Sequence, residues 1–346
     1  MVINTDARSA KAWWKAKATT SLLALGLASF GSPTWAQTVV RFATTLPETS
    51  PLIEEVYRPW AEEINEAADG EFEIQILGPT FANTANVVDR VVTGVAEMGI
   101  WVLPATGQPF PRSTVTTLPL VGGDPARASL ALWKLQEKGL LGDEFAEGKL
   151  LLFGVLASNT LRAREPITSL ESLAGLKVRV SDKNTADAMS ALGASPAFIS
   201  PTEMYQAASR GVVDAVITSP DTFQSFRLTE LLHQHLVNVT FGGVPTAVVI
   251  NKSFYEGLSP KGRAVLDSFT GEDGTRRLGQ AYADFIDGIT ASSANEPQYS
   301  ASRFDEAELE KVRDLISPVI ESWIERTPDG QTVLDAFKAE YAAASD

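Results

Sequence analysis

The chain has 346 residues, no cysteine and a formal net charge of −14 at pH 7. The absence of cysteine excludes disulfides, thiolate metal sites and thiol nucleophiles. The negative charge argues against nucleic-acid binding, which depends on Lys and Arg side chains that neutralise phosphates, and against binding to an anionic membrane surface. The length exceeds what one compact core usually serves, so we expect two domains.

The N-terminal residues 1–36 have the pattern of a secretory signal peptide. Basic residues precede an apolar run over residues 21–30, and small residues then stand before Gln37, where cleavage is expected. The apolar run is too short to cross a bilayer, which takes about 20 residues; a buried N-terminal helix is the alternative. We predict a signal peptide over residues 1–36, export, and a periplasmic mature protein.

The first part of the mature chain alternates predicted strands and helices, a pattern typical of α/β proteins. The predicted strands cover residues 39–43, 72–77, 98–103 and 150–156. The predicted helices cover residues 51–68, 84–92 and 125–140.

A second α/β unit is predicted to begin near residue 159. Its predicted strands cover residues 176–180, 197–199 and 212–217. The last of them is almost entirely apolar, as expected of a parallel sheet that is covered on both faces. Arg179 stands at the C-terminal end of the first, at the edge where open α/β sheets bind ligands.

Two distant segments share one pattern, which favours two lobes of similar build. Residues 91–100 and 208–217 each contain a helix end, a glycine (Gly94 or Gly211), a valine, an acidic residue and an apolar strand. A chance match is the alternative, because this helix-to-strand join is common.

The rest of the chain indicates how the lobes are connected. Residues 244–251 have the pattern of a strand that returns to the first lobe, and helices follow it. We therefore predict that lobe I comprises residues 37–158 and about 243–346, including the C-terminal helices. Lobe II would comprise about 159–242, and the crossover segments would act as hinges of a clamshell.

The sequence contains no recognisable catalytic pattern. There is no Gly-x-Ser-x-Gly elbow, phosphate-binding loop or dinucleotide fingerprint. His233 and His235 fit no metal or triad spacing, and we interpret them as part of a polar surface stretch. We predict no catalytic residue, no metal and no cofactor, although a carboxylate dyad built from distant residues stays open.

The motifs of residues 175–214 resemble those of one transport family. They read Gly-Leu-Lys-Val-Arg-Val, then Leu-Gly-Ala-Ser-Pro, then Glu203-Met-Tyr-Gln-Ala and Gly211-Val-Val-Asp. In this order they resemble the solute-binding proteins of tripartite ATP-independent periplasmic (TRAP) transporters, the dicarboxylate-binding, DctP-like family. Ala208 departs from the pattern, since the family usually has Leu there. The resemblance spans essentially all of the mature chain.

The resemblance implies a two-lobed periplasmic-binding-protein clamshell with crossover hinges and a helical C-terminal region. It also implies a monomeric extracytoplasmic receptor that binds a small organic acid between its lobes. The acid would be delivered to the small and large membrane permease subunits. The alternatives are the receptor of an ABC-type importer or of a sensor, or an exported enzyme that acts on a small organic acid.

Arg179 is the principal candidate for ligand binding. A guanidinium stays charged and can bind a carboxylate through two parallel hydrogen bonds. The alternative is a salt bridge to Asp182 or Asp214. The resemblance favours the ligand, because this position binds the substrate carboxylate in the family.

The resemblance implies further contacts at the strand ends. Many members have a second arginine about twenty residues upstream, but that position here is Asn159, so the nearby Arg162 is the candidate. The other positions that match the family or its internal repeat are Thr45, Asn83, Trp101, Thr218 and Ser219. Trp101 is either a residue of the cleft or an aromatic residue of the core.

Overall fold

The computed structural model describes residues 38–296 and 298–344, so the predicted signal peptide lies outside the described residues. Within these two ranges, no helix combines the length and the apolar composition that a membrane span requires. The fold has two β-sheets with helices packed against them, which is the α/β architecture that the sequence predicts.

The strands are, in chain order, β1 Thr38–Ala43, β2 Phe72–Leu77, β3 Met98–Val102, β4 Lys149–Ser158, β5 Thr160–Ala163, β6 Lys177–Val180, β7 Ser195–Phe198, β8 Ala215–Thr218, β9 Gln234–Leu236, β10 Gly243–Ile250 and β11 Ser300–Ser302. The α-helices are α1 Arg58–Ala68, α2 Val87–Val92, α3 Pro125–Glu137, α4 Lys183–Ala191, α5 Met204–Ser209, α6 Pro220–Ser225, α7 Lys252–Gly257, α8 Pro260–Ser268, α9 Gly271–Ala294, α10 Glu306–Arg326 and α11 Gly330–Ala343. A π-helix and short 3₁₀ helices lie at Ile53–Tyr57, Leu103–Ala105, Ser113–Thr117, Leu170–Leu173, Pro201–Glu203 and Leu228–Glu230.

The first sheet has five strands in the order β2-β1-β3-β10-β4. β1 is parallel to β2 and β3, whereas β10 is antiparallel to β3 and β4. The returning strand predicted for residues 244–251 is therefore confirmed as β10. Apolar clusters cover both faces of this sheet, since Phe42 and Ile74 pack on α1 while Trp101 and Phe153 belong to the opposite cluster.

The second sheet has six strands in the order β11-β9-β5-β8-β6-β7. β6 is parallel to β7 and β8, while β5 is antiparallel to β8 and β9. β11 pairs with β9, so the segment that follows α9 adds a strand to this sheet. The alternation of side chains along β8 gives the sheet two faces: Ala215 and Ile217 belong to one apolar cluster, Val216 to the other.

The two segments of the internal repeat form similar turns. Gly94 and Gly211 have φ angles of 75° and 68°, the left-handed conformation that glycine adopts at helix ends. Each turn leads into a strand, β3 or β8. The second strand begins at Ala215, later than predicted, because Val212 belongs to the turn and is 55% exposed.

Candidate functional site

Arg179 is a buried cation whose hydrogen-bond acceptors, among the residues that the structure describes, are backbone carbonyls. Its side chain extends from β6 and is 3% exposed. Nε donates a hydrogen bond to Ile199 O over 2.9 Å, and Nη1 donates to Ile217 O over 3.2 Å. Burial lowers the pKa of this guanidinium, and the charge of Asp182 opposes that shift only in part. Backbone carbonyls orient the group but leave its charge without a counter-ion.

The two carboxylates that the sequence offers as salt-bridge partners have other roles. Asp182 caps α4, where its Oδ1 and Oδ2 accept hydrogen bonds from the backbone N–H and the hydroxyl of Thr185. Asp214 accepts a hydrogen bond from the backbone N–H of Lys177 over 3.1 Å. Across residues 38–296 and 298–344, no carboxylate forms an ion pair with Arg179 within 4.0 Å.

Arg162 lies on the same face of the sheet as Arg179. Both residues pair with Val216 of β8, one from each side. Their Cα atoms are therefore separated by two strand spacings, about 10 Å. Because directly paired residues project from the same face of a sheet, the structure brings these two predicted residues together.

The Arg162 guanidinium is enclosed by aromatic rings. Its central carbon lies 5.0 Å from the ring centroid of Phe223 and 5.3 Å from that of Tyr299. The residue is 2% exposed, and burial lowers its pKa. The nearest carboxylate oxygen is Oε2 of Glu296, 4.0 Å from Nη1 and beyond hydrogen-bond distance. Like Arg179, this cation is buried with little compensation.

Thr218 and Ser219 lie where β8 ends, next to the two arginines. Thr218 pairs with Thr160 of β5, and the Ser219 hydroxyl shares a hydrogen bond of 2.9 Å with that of Thr222. Burial raises the pKa of the neighbouring Asp221, although hydrogen bonds from Ser219 and Thr222 act in the opposite direction. Hydroxyl groups thus line this edge of the second sheet.

Thr45 and Asn83 lie on loops of the first sheet. Thr45 is half-buried in the loop that follows β1. Asn83 is exposed, and its Oδ1 accepts a hydrogen bond from Ala85 N over 3.0 Å, which stabilises the turn before α2. Neither side chain is hydrogen-bonded to the residues described around Arg179 and Arg162.

Trp101 is a core residue. It is 1% exposed, stacks on Phe145 with centroids 6.3 Å apart and lies 6.0 Å from Phe110. It pairs across the sheet with Ala247, which in turn pairs with Phe153. The small Ala247 leaves room between two large side chains on the covered face. These contacts match the interpretation of Trp101 as an aromatic residue of the core.

A cavity of about 930 Å³ lies between the loop after β1, α6 and α9. Its walls include apolar side chains, among them Leu46, Phe226 and Phe285, and carboxylates such as Asp221 and Asp284. The lining contains no Lys or Arg and none of the predicted site residues. The cavity therefore combines apolar and acidic walls, and Asp221 and Thr222 of α6, which line it, follow directly after Ser219.

Two neighbours of Arg162 and of the cavity could not be recognised from the sequence. The pattern around His235 indicated a surface residue, but His235 is 5% exposed and pairs with Arg162. This interpretation was wrong because β9 is too short for its burial to be recognised from alternation. The contribution of α9 was missed as well, since nothing local to residues 281–292 indicates which helix they face.

The fold, with two α/β sheets of which the second carries the buried Arg162 and Arg179, is that of a two-lobed periplasmic binding protein. The chain belongs to the bacterial extracellular solute-binding proteins of family 7, the DctP family, whose family model matches residues 42–327. Proteins of this family are the solute receptors of TRAP transporters and work with membrane permease components. The prediction of a TRAP solute receptor rather than an enzyme is confirmed.

Three known proteins illustrate the similarity. The C4-dicarboxylate-binding periplasmic protein DctP of Rhodobacter capsulatus is 26% identical over 273 residues, which cover 78% of this chain and 72% of that protein. A TRAP solute-binding protein from a marine metagenome, specific for aromatic acid ligands and solved with meta-hydroxyphenylacetate, superposes with a TM-score of 0.81 at 21% identity, covering 90% of this chain and 100% of that one. A TRAP solute-binding protein of Bordetella bronchiseptica, solved with (R)- and (S)-mandelate, gives a TM-score of 0.76 at 25% identity, covering 88% and 99%.

Proposed function

We propose that this receptor binds a small organic acid whose carboxylate is held by Arg179, and that it delivers the acid to the small and large permease subunits. The observation that carries the proposal is the Arg179 guanidinium, which is buried and lacks a carboxylate partner among the described residues. A buried charge without a counter-ion is strongly unfavourable. A ligand carboxylate would supply that counter-ion.

The surroundings of Arg179 suit this role. Thr218 lies at the adjacent strand end and can donate a hydrogen bond to an anion, and Ser219 follows it there. Thr45 and Asn83 lie on loops of the first sheet, from which they would approach the acid as the lobes close. Closure would exclude water and strengthen the pairing of charges, and contacts with both lobes would favour the closed state.

The body of the acid is proposed to be apolar. The cavity beside α6 has apolar and aromatic walls, including Phe226 and Phe285. Two structural neighbours bind meta-hydroxyphenylacetate and mandelate, which are aromatic acids of one ring. An acid of that size would place its carboxylate on Arg179 and its ring between the lobes.

The organisation of the mature receptor is part of the proposal. Residues 1–36 would be a signal peptide, and the mature protein would be a periplasmic monomer. Lobe I would comprise residues 37–158 and about 243–346, and lobe II about 159–242. The pairing of β10 with β3 and β4 supports the return to lobe I, whereas β11 adds a strand of the C-terminal segment to the second sheet.

Calorimetry on the mature chain, starting at Gln37, tests the proposal. Phenylacetate should bind, and methyl phenylacetate should not, because the ester lacks the charge that Arg179 would pair with. A thermal-shift measurement should give the same order, since a ligand that binds only the folded state raises the melting midpoint. An ester that binds as tightly as the acid would contradict the proposal.

A further inference from the structure

Three polar side chains on one face of the second sheet have buried atoms without a hydrogen-bond partner. These atoms are Thr160 Oγ1, Arg162 Nε and Nη1, and His235 Nε2, which make up four of the nine such atoms in the described part of the chain. Arg162 pairs with His235 on one side and with Val216 on the other. Thr160 is two residues from Arg162 on the same strand, so its side chain projects from the same face.

In the described part of the chain, aromatic rings rather than hydrogen bonds compensate the Arg162 charge. The central carbon of the guanidinium lies over the rings of Phe223 and Tyr299, in cation–π contacts. The N–H donors project in its plane, where Nε and Nη1 find no acceptor among residues 38–296 and 298–344. Glu296 comes no closer than 4.0 Å. These donors are therefore available to a ligand.

His235 is held in position to present its second nitrogen. Its Nδ1 shares a hydrogen bond of 3.0 Å with the Tyr299 hydroxyl. Burial and, to a lesser extent, the charge of Arg162 lower its pKa to about 4, so the ring is neutral at pH 7. In a neutral ring whose Nδ1 is engaged by a hydroxyl, Nε2 can either donate or accept a hydrogen bond.

We propose that Thr160, Arg162 and His235 form a second subsite, which binds an oxygen substituent on the part of the acid remote from its carboxylate. This inference rests on the proposed function, because Arg179 would hold the carboxylate at the same time. The Cα atoms of the two arginines are about 10 Å apart, a span that one aromatic ring with substituents at both ends can bridge. The subsite would make the receptor select hydroxylated acids over unsubstituted ones.

Three acids with the same carbon skeleton test the subsite by calorimetry. Phenylacetate has no hydroxyl, mandelate has one next to the carboxylate, and 3-hydroxyphenylacetate has one on the ring. In the wild-type protein the ring hydroxyl should increase affinity about 10- to 100-fold over phenylacetate, as expected of a hydrogen bond to a charged group. Arg162→Met should abolish that gain and change the affinities for phenylacetate and mandelate by less than about threefold.

Arg164→Met is the matched control, because this nearby arginine is exposed and donates to the carbonyl of Ala208 rather than towards the subsite. It should leave all three affinities unchanged. Thr160→Val preserves the shape of the side chain and removes its hydroxyl. It should reduce the affinity gain of 3-hydroxyphenylacetate over phenylacetate without changing the affinities for the other two acids. It serves as the second variant if Arg162→Met does not fold.

The melting temperature without ligand gives an independent measurement. Replacing an uncompensated buried cation by an apolar side chain of similar length should raise it. A lowered melting temperature, or an equal loss of affinity for all three acids, would overturn the subsite and assign Arg162 a structural role. If phenylacetate fails to bind the wild-type protein at all, the proposed function itself fails, which is a distinct result.

Discussion

The two sheets differ in whether their arginines have a carboxylate partner. On the first sheet, Glu97 Oε2 accepts hydrogen bonds from Arg41 N over 2.7 Å and from Arg41 Nε over 2.8 Å, so the charge is neutralised within the fold. On the second sheet, Arg179 and Arg162 have no carboxylate at hydrogen-bond distance among the described residues. The two sheets therefore differ in whether the fold itself supplies a carboxylate for an arginine on a strand.

The internal repeat shows a similar difference between the two sheets, at one pair of equivalent positions. Trp101 and Thr218 occupy equivalent places after Gly94 and Gly211, whose backbone conformations agree. Trp101 fills the apolar face of the first sheet, whereas Thr218 lies at the polar end of β8. The repeat therefore preserves the turn and the strand but not the use of the side chain that follows.

Trp101→Ala should give the largest loss of stability. Truncation of a buried tryptophan leaves a cavity against Phe110 and Phe145 and should lower the free energy of unfolding by about 3–5 kcal/mol. The affinity for phenylacetate should stay the same, because the indole faces the core. Urea denaturation and calorimetry measure the two quantities, and Phe198→Ala, at a side chain that is 66% exposed, is the control. A loss of affinity with little loss of stability would return Trp101 to the cleft.

Arg179→Met should reduce ligand affinity while the protein stays folded, which is the converse of Trp101→Ala. Loss of one partner of a desolvated charge pair costs about 2–5 kcal/mol of binding free energy, which is roughly 30-fold to several-thousand-fold in affinity. Arg179→Lys should lie in between, because an ammonium cannot form the bidentate pair. Both variants should remain folded by circular dichroism. Binding of phenylacetate by Arg179→Met within about threefold of wild type would remove the basis of the proposed function.

The sequence predicted the α/β architecture and the strand that carries Arg179, because apolar runs and the glycines that bound them are local signals. It did not predict the environment of Arg162. β5 and β9 have four and three residues, too few for alternation to show which face is buried. The neighbours that enclose Arg162, such as Phe223 and Tyr299, come from segments distant in the chain.

Trp101 illustrates a second limit of sequence analysis. In a strand that is buried on both faces, the pattern does not tell which apolar cluster a residue joins. Pairing with Ala247 decides it, and that pairing depends on the register of β10, a strand that returns from the other end of the chain. The cavity could not be predicted for a similar reason. The loop after β1 and α9 both line it, but they are far apart in the sequence.

Glu97→Gln should have the smallest effect and should depend on pH. Burial alone would raise the pKa of Glu97, but hydrogen bonds from Arg41 outweigh it and hold the pKa below the ordinary value of 4.5. The pair therefore stabilises the fold above that value and loses its contribution as the pH falls through the lowered folded-state pKa. Because the Arg41 side chain is 40% exposed, the variant should lose only about 0.2–1 kcal/mol of unfolding free energy at pH 7.

Urea denaturation of Glu97→Gln and wild type at pH 7 and at successively lower pH tests this last comparison. The difference between the two proteins should shrink as the wild-type carboxylate is protonated, while the affinity for phenylacetate at pH 7 stays unchanged. A difference in stability that persists under acidic conditions would mean that Glu97 acts through packing rather than charge. A change in affinity would mean that the Arg41–Glu97 pair of the first sheet also affects ligand binding. The proposed difference between the two sheets would then be wrong.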